Sequence, residues 1–149
     1  MKISVQAEDF SIEQESLALR GDRTDIGALV SFTGLVRDFP EGTLKSMTLE
    51  HFPGMAEKQL AALAEEAEKR WPLQGLTVIH RYGELHPGEQ IVLVLTASLH
   101  RKAAFEAAEF LMDWLKTEAP FWKKEQTSDG EQWVEAKKED DNARDRWKG

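Results

Sequence analysis

The chain has 149 residues, 41% hydrophobic and 31% charged, with 19 Lys and Arg against 27 Asp and Glu and a formal net charge of −8. That is one domain's worth of chain with enough apolar content for a real core, which excludes disorder, and the acidic balance argues against nonspecific binding to nucleic acid or anionic membrane. Zero cysteine excludes disulfides, thiolate metal sites and cysteine nucleophiles, no apolar run approaches the ~18 residues of a membrane span, and MKISVQAEDF lacks the apolar stretch of a secretory signal, so the cytoplasm is the expected location.

Ile3 and Val5 alternate with polar neighbours, which predicts a short edge strand. Ser11 and Gln14 have the form of a capping box and open a short helix to about Leu19. A polar loop over 20–25 precedes Ile26–Val36, apolar and β-branched enough for a buried strand. Asp38–Thr43 is a loop broken by Pro40 and Gly42. Ser46–His51 alternates as a half-buried strand. Beyond Pro53-Gly54, Leu60, Leu63, Ala64, Ala67 and Trp71 form one apolar helical stripe that Pro72 stops.

Leu76–Tyr82 reads as a strand and Leu85–Gly88 as a turn. Gln90–Leu99 is the most apolar strand, continuous enough to be buried on both faces. A helix then runs from about His100 to Ala119, with Ala104, Ala108, Leu111, Met112 and Leu115 on its inner side. Asp129-Gly130 predicts a hairpin between Phe121–Gln126 and Glu131–Ala136. The order β-α-β-β-α-β-β-α-β-β implies a mixed α+β domain over 1–136 with an appended hairpin. Residues 137–149 read as a charged tail, loosely ordered unless something holds it.

No P-loop, dinucleotide-binding or nucleophile-elbow motif is present, and His51, His80, His86 and His100 have no metal-site spacing. The remaining candidates are cations at element ends. His100 and Arg101 stand where a strand turns into a helix, a place suited to an anion. Arg101 offers a two-pronged clamp and His100 a proton carrier, although a turn cap and a solvated arginine account for both more simply. Lys116 suits the dipole at a helix C-terminus and needs no other role there. Lys123 and Lys124 adjoin Phe121 and Trp122, so a desolvated lysine here could act as base or nucleophile, or both could stay in water. Strand alternation puts Lys123 on one face with Phe121 and Glu125, and Lys124 on the other. Arg37 marks a strand-to-loop junction.

FTGLVRDF (32–39), TLEHFPGM (48–55), RWPL (70–73), VIHRYGEL with PGE (78–89), LHRKAAFEA with LMDWLKTEAPFWKKE (99–125) and WVEA (133–136) together resemble the catalytic large subunit of molybdopterin synthase, in order and in spacing. The resemblance implies an α/β-hammerhead fold and a homodimer within a heterotetramer. It also implies sulfur transfer that converts cyclic pyranopterin monophosphate to molybdopterin. A ubiquitin-like small subunit brings each sulfur as a thiocarboxylate on its C-terminal glycine. By resemblance Lys116 and Lys123 are catalytic, and Leu35, Val36, Arg37, His100, Arg101, Lys124 and Glu125 bind substrate. No metal or cofactor is called for. Phe52 stands where the family carries Tyr, and Lys137 where it carries Arg, so no two-pronged contact is expected at 137. Two other readings fit the residues alone: a noncatalytic dimeric module binding an anion or a protein tail, and a small enzyme using His100 as base.

Overall fold

The computed structural model describes residues 1–117, 121–134 and 138–148. The strands are β1 (Lys2–Gln6), β2 (Ala28–Leu35), β3 (Leu44–His51), β4 (Leu73–Arg81), β5 (Gly83–Leu85), β6 (Gln90–Ser98), β7 (Phe121–Thr127) and β8 (Gly130–Val134). The helices are α1 (Ile12–Arg20), α2 (Met55–Arg70), α3 (Arg101–Thr117) and α4 (Lys138–Asp145). The strands form two sheets, ordered β1-β4-β6-β2 and β5-β3-β7-β8. Among the described residues only β1 and β4 pair in parallel. The mixed α+β expectation holds.

The central strands β4 and β6 are covered on both faces. On one, Leu76, Val78, Val92 and Val94 pack with Leu60, Ala64 and Ala67 of α2 and with Ala108, Phe110, Leu111 and Leu115 of α3. On the other, Ile79, Leu93 and Leu95 meet Phe10, Ile12, Leu19 and Leu29. That double burial is the reason β6 is a continuous apolar run. The second sheet has its own small core of Val36, Leu44, Met47, Leu49 and Leu85. Arg81, buried at 7% exposure, staples the first sheet: it donates to Ala7 O at 3.0 Å and Gln90 O at 3.0 Å.

Local chemistry explains the element ends. Ser11 Oγ accepts from the Gln14 amide and opens α1. The Glu57 carboxylate accepts from the Gly54 amide at the start of α2.

Two elements differ from expectation, β5 and the helix over 138–145. β5 replaces part of a predicted turn: Gly83, at φ 96°, redirects the chain from β4 to the other sheet, where Leu85 pairs with Met47. Three residues are too few to show a period. The helix α3 begins at Arg101, so His100 lies just ahead of it. Residues 138–145 are helical, and Trp147 joins the main core between Trp71 and Phe110. The Trp147 indole donates to Asp113, and its carbonyl accepts from Arg70 at 2.9 Å. One aromatic residue anchors a segment whose charge suggests solvent. Glu135, Ala136 and Lys137 lie outside the described residues.

Candidate functional site

Strands β2 and β6 run antiparallel, with Ala28 opposite Ser98 and Leu35 opposite Gln90. Arg37 therefore emerges at one end of the pair, and His100 and Arg101 at the other. The eight steps of β6 from Gln90 to Ser98 span about 26 Å at a strand rise of ~3.3 Å. One copy of the chain does not bring these cations together.

At the first end, the Val36 amide donates to Glu89 O at 2.9 Å, and the Gly88 amide donates to Val36 O at 2.7 Å. Val36 is buried, whereas Leu35 and Arg37 are exposed. The Asp38 carboxylate accepts from the Phe39 and Leu44 amides at 2.7 and 3.0 Å, which closes the loop behind Arg37. That leaves the Arg37 guanidinium projecting from a fixed backbone.

At the second end, Gly27 donates to Ser98 O at 3.0 Å. A Cβ on Gly27 would stand 2.0 Å from Leu99 O. Gly27→Ala is therefore expected to push the 98–101 turn outward and to cost about 1–3 kcal/mol. Thermal unfolding of the variant checks this, and an unchanged midpoint would count against the close approach.

The helix α3 runs back along the sheet, so Lys116 in its last turn returns to the Arg37 end. Lys123 lies on β7 opposite Leu49, on the inward face shared with Phe121 and Glu125. Beneath both lies His80, 6% exposed at the end of the α2–α3 face of β4. Its Nδ1 is 2.9 Å from Arg81 O. A carbonyl only accepts, so Nδ1 carries the proton. Burial pushes the imidazole down to about 4, with the charges of Lys123, Lys116 and His51 adding to the effect and the bond to Arg81 O opposing it. Lys116 and Lys123 thus lie close enough for both charges to act on one buried ring.

The Phe121 ring stacks on His80 with centroids 3.8 Å apart and planes 10° from parallel. His51 lies against Phe121 and Tyr82 at 5.9 and 4.4 Å. Sequence reasoning missed His80, His51 and Phe121 as site residues. The one available signal was a histidine two residues after Val78 on an apolar strand, in phase with its buried side.

Lys124 faces the other way, as alternation predicts. It pairs with Glu131 at 2.9 Å and lies over the Trp133 ring. Its pKa is raised, chiefly by the hydrogen bond to Glu131. The structure thus brings Lys116, Lys123 and Arg37 to one end of the fold, puts Glu125 on the face of Lys123, and separates Lys124, His100 and Arg101 from them.

Three cations, Arg37, Lys116 and Lys123, thus gather at one end of a two-sheet α+β chain whose formal net charge is −8. The "MoaE protein" family matches residues 5–118. A molybdopterin synthase catalytic subunit from Mesorhizobium japonicum is 57% identical over 148 residues, covering 98% of this chain and 92% of the relative. The solved molybdopterin biosynthesis MoaE protein from Burkholderia ambifaria superposes with a TM-score of 0.83 at 50% identity, covering 99% of both chains. A complex of subunits 1 and 2 of molybdopterin-converting factor from Helicobacter pylori shares the fold, with a TM-score of 0.68 at 21% identity over 92% of this chain and 90% of that one. The chain belongs to the MoaE family of molybdopterin synthase catalytic subunits. Among the described residues no helix is long and apolar enough to cross a membrane.

Proposed function

We propose that this chain converts cyclic pyranopterin monophosphate to molybdopterin, taking each sulfur from the C-terminal glycine thiocarboxylate of a ubiquitin-like small subunit. The observation that carries the reading is the convergence of Lys116 and Lys123, from separate elements, over one buried ring. A phosphate-bearing substrate and an anionic tail must meet on a protein of charge −8, and local cations offset their repulsion. In each delivery the thiocarboxylate sulfur bonds to a substrate carbon and displaces an oxygen there, and water then cleaves the glycine carbon–sulfur bond, which leaves the sulfur on the substrate and the glycine as a carboxylate. Lys116 and Lys123 stabilise the negative charge that develops at the attacked carbon or protonate the departing oxygen. Leu35, Val36, Arg37 and Glu125 shape the substrate end, with Lys124 bracing the hairpin from the outer face. The reaction runs in the cytoplasm, and the Helicobacter pylori relative, a complex of two subunits, supports the small-subunit partner.

The enzyme works as a homodimer inside a heterotetramer. Supporting this is the separation of about 26 Å between Arg37 and the His100–Arg101 pair along β6, because a second copy can supply the missing cations to the lysine end. The test is complementation: Lys116→Ala and Arg101→Ala chains, each impaired alone, are mixed with thiocarboxylated small subunit and substrate. Recovery to a sizeable fraction of wild-type activity is the expected result. No recovery in a proven mixed dimer overturns the shared site. Tight binding of substrate and small subunit by the wild type without turnover would favour the noncatalytic module instead.

A further inference from the structure

The chemistry proposed above gives the buried ring of His80 no role of its own, yet it lies under both lysines. It closes the inner face of β4 after Leu76 and Val78, in the first sheet. Phe121 opens β7, in the second. Their contact is face to face, and the Nδ1–H bond to Arg81 O fixes the plane of the imidazole. Phe121 packs against the cores of both sheets. Only residues 118–120 separate it from the end of α3, and Lys123 follows two residues later on the same strand face. The distance between Lys116 and Lys123 therefore depends on how the first residue of β7 sits against the first sheet.

We propose that the stack of His80 on Phe121 sets the spacing of Lys116 and Lys123, which makes His80 a positioning residue for sulfur transfer. The inference rests on the lysine roles proposed above. A flat ring is needed at position 80 because only a flat ring presents a face to Phe121 at 3.8 Å. A branched aliphatic chain fills the volume but lets Phe121 tilt, and β7 moves with it. Small displacements matter here, since misplacing a reacting group by about 1 Å can cost ~100-fold in rate.

The test compares His80→Leu, His80→Phe and Lys116→Ala in a single-turnover assay with full-length chains, saturating substrate and thiocarboxylated small subunit. Small-subunit affinity is measured in parallel. His80→Leu is expected to lower the rate about ten-fold or more with affinity within about two-fold of wild type, whereas His80→Phe, which keeps the stacking face, recovers most of the rate. If His80→Leu does not fold, Phe121→Leu reads the same contact from the other side. A His80→Leu rate near wild type overturns the proposal, as does a His80→Phe rate as low as that of His80→Leu. An active Lys116→Ala chain would instead remove the lysine reading beneath it, so the two failures are distinguishable.

Discussion

Replacing Lys116 with alanine is expected to lower single-turnover formation of molybdopterin by about 100-fold or more, the usual scale for losing a positioned acid or charge stabiliser. The fold should survive. The Lys116 side chain is exposed in the last turn of α3, where its favourable interaction with the helix dipole is worth only ~0.3–1 kcal/mol. Circular dichroism and the unfolding midpoint should therefore stay near wild type while product formation collapses. Small-subunit binding should persist, because one lysine is a minor part of any partner interface. A variant that folds, binds and still turns over at the wild-type rate would remove Lys116 from the chemistry.

The second large effect concerns acid stability. His80 has its imidazole pushed from 6.5 down to about 4 in the folded state. An unfolded histidine takes its proton near pH 6.5. As pH falls through that value the unfolded chain binds a proton that the folded chain refuses, so stability drops. The loss runs between about pH 6.5 and 4 and levels off below, where both states are protonated. Its size follows from 1.36 kcal/mol per pKa unit and comes to about 3 kcal/mol, a large part of a typical domain's stability. Urea midpoints measured from pH 7 to 4 would show the decline, and His80→Phe should flatten it over that window. Asp9 and Glu89, whose pKa values are lowered chiefly by hydrogen bonds from Gln90 and from the His86 amide, lose their contribution only at lower pH. A flat wild-type profile between pH 7 and 5 would contradict the burial of a neutral ring.

What could be read in the sequence was whatever repeats locally. The apolar stripe of α2, the inner side of α3 and the continuous run of β6 each carry their own period, and all three elements formed where that period placed them. Alternation alone separated Lys123 from Lys124, and the register of β7 on β3 shows the same split. Non-local features were not legible. The three residues of β5 show no pattern, and their strand depends on a partner some 35 positions earlier. Trp147 anchors a charged segment through Asp113 and Arg70, neither of which is near it in sequence. The cationic residues were found singly or by family likeness, but their grouping follows from strand order. That order sends Arg37 and the two lysines to one end of the sheet and His100 with Arg101 to the other. The contact of His80 with Phe121 joins two sheets, and no spacing along the chain encodes it.

The interleaving of the two sheets sets the timetable of assembly during synthesis. Strand β3 has only the short β5 as an early neighbour, while its long partner β7 starts at Phe121, 70 positions after His51. At ~5–20 residues per second that is a wait of roughly 4–14 seconds on the ribosome. Throughout it, Met47 and Leu49 on β3 lack the strand that covers their edge. The segment bearing Lys123 is the one that ends the wait, so the end of the molecule that gathers Arg37, Lys116 and Lys123 is completed only after α2 and α3 have been made. Nascent chains stalled short of Phe121 would carry an open β3 edge, which makes them clients for chaperones.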